Sequence, residues 1–237
     1  MATIIKAKEL IIKGEDDMLE LPMDVREDIA AYWREQTKLY PGMFNGPVYS
    51  VLNMENNDGN VVFECALSDY ANYKYSEAHD LGQFACRNLY AGCLLKTSDG
   101  KCIVSLNGVG SEFTGKIQFI GGAVDPEDRD EVTNHLDPLI TAMRELEEEV
   151  GTQIRNSIEG VGETHIITNE KKFGILTILQ SELTADELLA AFEHFKESTH
   201  NNEIDCLFAF GKDNKDELEE YENRQDIGVV EFLRSIL

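Results

Sequence analysis

Between residues 144 and 151 the chain reads Arg-Glu-Leu-Glu-Glu-Glu-Val-Gly, a spacing suited to binding a cation. On a helix advancing about 100° per residue, with Glu145 at zero, Glu148 falls at about 300° and Glu149 at about 40°. Three carboxylates therefore share one face. Leu139, Met143, Leu146 and Val150 gather at about 100–160°, and Glu147 falls at about 200°, away from the other acids. Like charges three and four residues apart repel by roughly 0.2–0.5 kcal/mol per pair. A divalent cation relieves that repulsion, and hard carboxylate oxygens suit Mg2+ or Mn2+. Arg144, four residues before Glu148, can pair with it and hold its rotamer. A solvated acidic face is the competing reading, and the helix alone leaves the two level.

The neighbouring sequence supplies the elements that would position this face. Asp137-Pro138 opens the helix, since Asp caps well and Pro is preorganised for the first helical position. Gly151 stops it. Upstream, a strand at 116–120 runs into Gly121-Gly122 and a long acidic loop at 123–135. Before that, strands at 92–97 and 101–107 flank Ser98-Asp99-Gly100, a hairpin signal. Downstream lie strands at 161–168 and 173–181, and a helix at 184–197 with a Thr184/Glu187 capping box. A strand at 204–210 and an acidic helix from about 214 follow. The first 84 residues read as a small α+β region. It has a strand at 3–12 closed by Gly14 and the acidic loop Glu15–Asp17, a helix at 24–38 ended by Tyr40-Pro41-Gly42, and strands at 48–55 and 60–68 joined around Asn56–Gly59. Residues 69–81, with three tyrosines and Lys74, read either as a substrate-facing loop or as a packed crossover.

Composition narrows the function classes. The chain has 237 residues, 45 acidic against 21 basic, and a formal charge of −24. An apolar fraction of 42% allows a sizeable core and excludes wholesale disorder. The acidity opposes nucleic-acid binding, which depends on basic residues releasing counterions, and opposes an anionic membrane surface. Cys65, Cys86, Cys93, Cys102 and Cys206 show neither metal spacing nor an even disulfide count, and read as buried thiols in a reducing cytosol. His79, His135, His165, His194 and His200 show no ligand spacing. No apolar run is long enough to span a membrane, and the N-terminus lacks a signal-peptide pattern. A soluble cytoplasmic protein is expected.

Residues 85–237 resemble a Nudix hydrolase domain. The family pattern is G-x5-E-x7-R-E-U-x-E-E-x-G-U, with U a bulky aliphatic. Its second half matches here at every defined position but the last, where Thr152 stands. Gly122 and Arg144 lie 22 positions apart against 14 in the pattern, an insertion of eight. Counting forward from Gly122 puts Asp128 at the first Glu position; counting back from Arg144 gives Leu136. The resemblance implies an α/β fold, an αβα sandwich with a mixed sheet, preceded by the α+β region at 1–84. It implies hydrolysis of a phosphoanhydride bond in a nucleoside diphosphate linked to another moiety, with Mg2+ or Mn2+ as cofactor. Glu145, Glu148, Glu149 and the Gly122 carbonyl would hold the metal, with Glu203 as an added ligand ahead of Glu163 and Glu170. Arg144 and either Glu148 or Glu149, as base, would serve catalysis. Arg87 is a candidate phosphate contact, as is Lys116, and Asp128 a candidate contact in the loop.

Substrate markers for ADP-ribose, dinucleoside polyphosphates and NADH are absent downstream, where Ile166, Thr168 and Asn169 stand. The chain is closer to Nudix proteins that hydrolyse UDP-glucose and UDP-galactose. Asn45-Gly46-Pro47-Val48-Tyr49, Ser68-Asp69-Tyr70, the long insertion after Gly121-Gly122, and Leu183-Thr184-Ala185-Asp186 carry that likeness. Tyr70, Tyr73 and Tyr75 would then contact base or sugar. The expected partner is a small nucleotide, and a homodimer is left open. Two rival readings are a Nudix-fold sensor that binds a nucleotide without cleaving it and an acidic scaffold using the C-terminal helix. Retention of Glu145, Glu148 and Glu149 favours the enzyme over the sensor.

Overall fold

The computed structural model describes residues 2–40, 42–111, 113–169, 171–199 and 202–237, which leaves Pro41, Glu170 and His200 outside the described residues. Most of the strands belong to one mixed sheet centred on Asn88–Lys96 (β5). β5 reads as an almost unbroken apolar run and is buried along most of its length, as expected of a strand covered on both faces. Lys172–Ser181 (β10) runs parallel along one edge of β5, from the Lys172–Asn88 pair to the Gln180–Lys96 pair. The opposite edge is shared in succession by Pro47–Asn57 (β3), Ile120–Ala123 (β8) and Cys102–Asn107 (β6). Ile158–Thr168 (β9) pairs antiparallel with β10, and Ile204–Phe210 (β11) with β6. Ile117–Gln118 (β7) adds a short pairing to β6.

Alternation along β5 and β10 sends successive side chains to opposite faces. On one face Cys93, Leu95 and Leu179 pack against Leu146 and Val150 of Pro138–Val150 (α3), Ile154 of Thr152–Asn156 (α4), and Leu188 and Phe192 of Ala185–Thr199 (α5). On the other, Leu94, Leu176 and Ile178 pack against Val229, Phe232 and Leu233 of Val229–Ile236 (α6). The architecture is α/β with a large mixed sheet and helices on both faces.

The expected strand at 3–12 is two strands. Thr3–Ala7 (β1) pairs with β9, whereas Glu9–Met18 (β2) runs parallel to Asn60–Asp69 (β4) at the other end of the sheet. The amides of Lys8 and Glu9 both reach the Gly59 carbonyl, at 2.8 and 3.4 Å. The two outermost strands are thus consecutive segments, and the sheet curls around a core that includes Ile12, Tyr49, Phe63, Leu89, Ile166 and Phe173. Strands from 1–84 and from 85–237 share this sheet and this core. The acidic residues 15–17, expected as a loop, lie within β2: Glu15 pairs with Ala66, Asp16 and Asp17 bulge from the ladder before Met18 pairs with Leu67, and all three are exposed. The hairpin β3–β4 turns at Asp58-Gly59, both with positive φ, as a two-residue turn requires.

Residues 69–81 contain a helix, Tyr70–Ala78 (α2), which the tyrosine-rich sequence did not announce. Asp69 caps it by accepting from the Asn72 amide at 2.9 Å. The helix expected at 24–38 is Met23–Leu39 (α1). The C-terminal helix expected from 214 is a 3-10 turn at Lys215–Tyr221 followed by α6. Gln225 pairs with Ile117 between the two, and Gly228 has a φ of 72°, so one continuous helix cannot form there. Among the described residues no helix is long and apolar enough to cross a membrane.

Candidate functional site around the acidic helix

α3 begins and ends as its sequence dictates. The Asp137 carboxylate accepts from the Leu139 amide at 2.8 Å, Pro138 occupies the first turn, and Gly151 ends the helix with a φ of 98°. Leu146 and Val150 are fully buried while Glu148 remains exposed, its side chain 61% accessible. The helix thereby presents its acids to β8. A Cβ added at Gly122 would stand 2.5 Å from the Glu145 Oε1, so only glycine lets that carboxylate lie against the strand. Glu149 is buried, and the Gly121 amide donates to its Oε2 at 3.2 Å.

Arg144 organises the cluster. Its Nη2 and Nε donate to Asp128 at 2.9 and 3.3 Å, its Nη1 to Glu145 at 2.6 Å and to Glu148 at 3.4 Å, and its Nη2 also reaches the Ala123 carbonyl at 3.1 Å. Asp128 is only 3% exposed. It also accepts from Thr141 Oγ1 at 2.8 Å and from the Asp125 amide at 3.0 Å. Its principal charged partner is therefore Arg144. Burial works to raise the Asp128 carboxyl, but hydrogen bonds from Arg144, the Asp125 amide and Thr141 outweigh it and hold the group below its ordinary range. Those same Asp128 hydrogen bonds push the Arg144 guanidinium upward. The pairing of Arg144 with Glu148 anticipated from spacing is present but long; Asp128 and Glu145 hold the guanidinium more closely.

Burial raises Glu149 well above the ordinary carboxyl value, and the nearby charges of Glu145, Glu203 and Glu148 raise it further. Burial raises Glu145 too, against the opposing pull of Arg144. Glu203, from the segment leading into β11, therefore joins this electrostatic neighbourhood. Glu163 does not: it pairs with Lys6 and lies beside His165. Among the described residues, no three acidic, histidine or cysteine side chains are grouped closely enough to enclose an ion as they stand, and Glu145 and Glu148 are both turned to Arg144. The donor chemistry nonetheless suits a hard divalent cation: several carboxylates, one buried among like charges, beside a glycine cradle that a Cβ would fill.

Behind Gly121-Gly122, on the α6 face of the sheet, lies a cavity of about 240 Å³. Tyr70 and Tyr73 line it, as do Asn88, Phe113, Gln118 and Lys172. Tyr73 is buried and donates to Glu77 Oε1 at 2.8 Å. Lys172 Nζ lies 3.3 Å from Glu77 and 4.0 Å from Asp226, with the Phe113 ring 4.9 Å away. Arg87 stands apart from this cavity, donating to the Leu52 carbonyl and lying 5.8 Å over the Phe173 ring. Lys116 lies over the Phe113 ring at 5.7 Å. Sequence reasoning passed over Asn88, Phe113 and Lys172. No local pattern marks them, since only the pairing of β5 with β10 brings Asn88 and Lys172 side by side. The cysteines are free, and burial pushes Cys65 and Cys86 up to about 12.

No protein-family profile matches the chain, and no curated protein is significantly similar to it.

Proposed function

We propose that this protein is a Nudix-type hydrolase that cleaves a phosphoanhydride bond in a nucleoside diphosphate linked to a second moiety, with Mg2+ or Mn2+ as cofactor. The observation that carries the reading is the Arg144–Asp128 clamp beside three carboxylates of α3, packed on Gly121-Gly122. In the Nudix reading Asp128 takes the place of the first glutamate of the box, by joining the inserted loop to the helix arginine. The αβα sandwich of that family is consistent with the helices on both faces of the mixed sheet.

Glu145, Glu148, Glu149, the Gly122 carbonyl and Glu203 would hold the cation. Bound there, it would neutralise phosphate oxygens and make water more acidic. The chain's own residues do the rest. Arg144, held by Asp128, orients Glu145 and Glu148. Glu148 or Glu149 accepts the proton of the attacking water as the bond from phosphorus to the leaving phosphate oxygen breaks. Positioning and charge stabilisation supply most of the rate, as in other phosphoryl transfers.

Within that class we favour a UDP-sugar, cleaved to UMP and a sugar 1-phosphate. Two segments that suggested it meet in the fold: the Asn45 side chain accepts from the Ala71 amide at 2.7 Å, and the Gly46 carbonyl from the Tyr70 amide at 3.0 Å. That junction sets Tyr70 and Tyr73 at the cavity.

The test is turnover of UDP-glucose, UDP-galactose, ADP-ribose, NADH, diadenosine polyphosphates and oxidised dGTP with Mg2+, Mn2+ or EDTA, beside Glu148→Gln. Metal-dependent turnover lost in Glu148→Gln is expected, with UDP-sugars preferred. Preference for ADP-ribose would move the substrate, and nucleotide binding without any turnover would make the protein a sensor.

A further inference from the structure

We infer that the cavity behind Gly121-Gly122 binds the heterocyclic base of a nucleotide, with Asn88 and Lys172 reading the base's hydrogen-bonding edge and Phe113 flanking its ring. This rests on the proposed function in taking the nucleotide as a substrate, while the test below is of binding alone.

Position is the first argument. Gly121 and Gly122 line the cavity on one side, and Glu145 and Glu149 meet the same two residues from α3. β8 pairs with β5 alone among the described strands, so a nucleotide with its base in the cavity would bring its phosphates to the acids around the unpaired edge of this side-chain-free strand. Size is the second. At about 240 Å³ the space lies below the roughly 300–1,000 Å³ of pockets for drug-sized ligands, which suits one ring system and part of its sugar.

Polarity decides which part of a nucleotide fits. Asn88 is 8% exposed, and its Oδ1 has no hydrogen-bond partner among the described residues. A buried acceptor left unpaired in a cavity is a place for a ligand donor. Lys172 is the register partner of Asn88 on the adjacent parallel strand, and its ammonium offers only donors. Acceptor beside donor matches the alternating edge of a nucleobase. A phosphate does not fit. Glu77 and Asp226 both flank Lys172, at 3.3 and 4.0 Å, so two carboxylates outweigh the single ammonium. Nor does a hexose fit well, because its hydroxyls point from every edge whereas most of this wall is aromatic or aliphatic. A base has two apolar faces for such walls and one polar edge, and aromatic side chains provide stacking platforms for it.

The experiment is calorimetric titration of the full chain, in EDTA, with the four common nucleoside 5′-monophosphates, ribose 5-phosphate and methyl glucoside. Asn88→Leu removes the acceptor at nearly constant volume, Phe113→Ala removes the ring from a loop, and melting curves verify folding of each. We expect at least one nucleoside monophosphate to bind more tightly than ribose 5-phosphate, and roughly ten-fold weaker binding in each variant. The inference is overturned if no nucleotide binds, if ribose 5-phosphate or methyl glucoside binds as tightly, or if nucleotide affinity is unchanged in both variants. Base-dependent binding without metal-dependent turnover would leave this inference standing and remove the hydrolase.

Discussion

Asp128→Asn removes one charge and almost no volume from beneath Arg144. The Asp128 carboxylate takes two hydrogen bonds from the Arg144 guanidinium, at 2.9 and 3.3 Å, one from Thr141 and one from the Asp125 amide. An asparagine can keep two or three of these, but its amide nitrogen must then face a donor. Hydrogen bonds to charged groups contribute about 1.5–3 kcal/mol each, and removing one partner of a fully buried pair costs about 3–5 kcal/mol. Here Arg144 is 32% exposed and retains Glu145 at 2.6 Å. Solvent and that second acid offset part of the loss, so the expected cost is about 2 kcal/mol. For a chain of this length that is a fall in Tm of about 4–8 °C. Melting curves of Asp128→Asn, Arg144→Met and the double variant measure it, and the coupling between the two sites is expected to reach about 1–2 kcal/mol. Additive single effects, or a Tm within about 1 °C of the parent, would refute the clamp. Because the Asp128 carboxyl lies below its ordinary range, its stabilisation is complete above the unfolded value near 4 and is lost as pH falls through the folded one. The parent–variant difference is therefore constant at neutral pH and closes only in acid.

Gly122→Ala places a methyl 2.5 Å from the Glu145 carboxylate. It should lower the proposed metal-dependent hydrolysis at least ten-fold while leaving a folded protein, read from initial rates alongside circular dichroism; undiminished rates would remove Glu145 from the site. Gly228→Ala meets a φ of 72° and puts a Cβ 2.6 Å from the Ile167 Cγ2. A loss of about 2 kcal/mol in urea unfolding follows from backbone strain and overpacking, and an unchanged midpoint would contradict the packing of α6. Burial holds His165 below its ordinary value, Glu163 opposing and Lys6 assisting, while the ring packs on Phe232 with centroids 4.9 Å apart. As pH falls below about 6.5 the unfolded chain takes up a proton that the folded one refuses. Stability should drop by up to about 1.4 kcal/mol per pH unit from this group, and His165→Gln should flatten the slope between pH 7 and 5; parallel slopes would place the proton elsewhere.

Much of the candidate site was legible locally. α3 appears over the expected residues because cap, preorganising proline, amphipathic spacing and terminal glycine all lie within one short segment. The Thr184/Glu187 capping box also forms, with Glu187 accepting from the Thr184 amide and hydroxyl. The hairpin around Asp58-Gly59 has the same local logic. Where local signals were weak or mixed, tertiary contacts decided. The strand at 3–12 divides at Lys8 because two sheet edges compete for it, and no residue type marks such a break. The 214–237 segment breaks because Gln225 is drawn to Ile117, a residue more than a hundred positions earlier.

Taken alone, the sequence determined the acidic helix, its termini, the glycine pair before it and most strands, since these depend on periods and caps spanning only a few residues. It also pointed to Asp128, the residue reached by counting forward from Gly122. Only the tertiary structure joins that residue to the helix, by bringing the 123–135 loop under Arg144, and only it sets Glu203 among the charges acting on Glu149. The cavity belongs wholly to that level. Asn88 and Lys172 meet through the register of a parallel strand pair, and Phe113 reaches Lys172 from a distant loop. Such a register is set by the summed packing of both sheet faces, and no short window of residues encodes it.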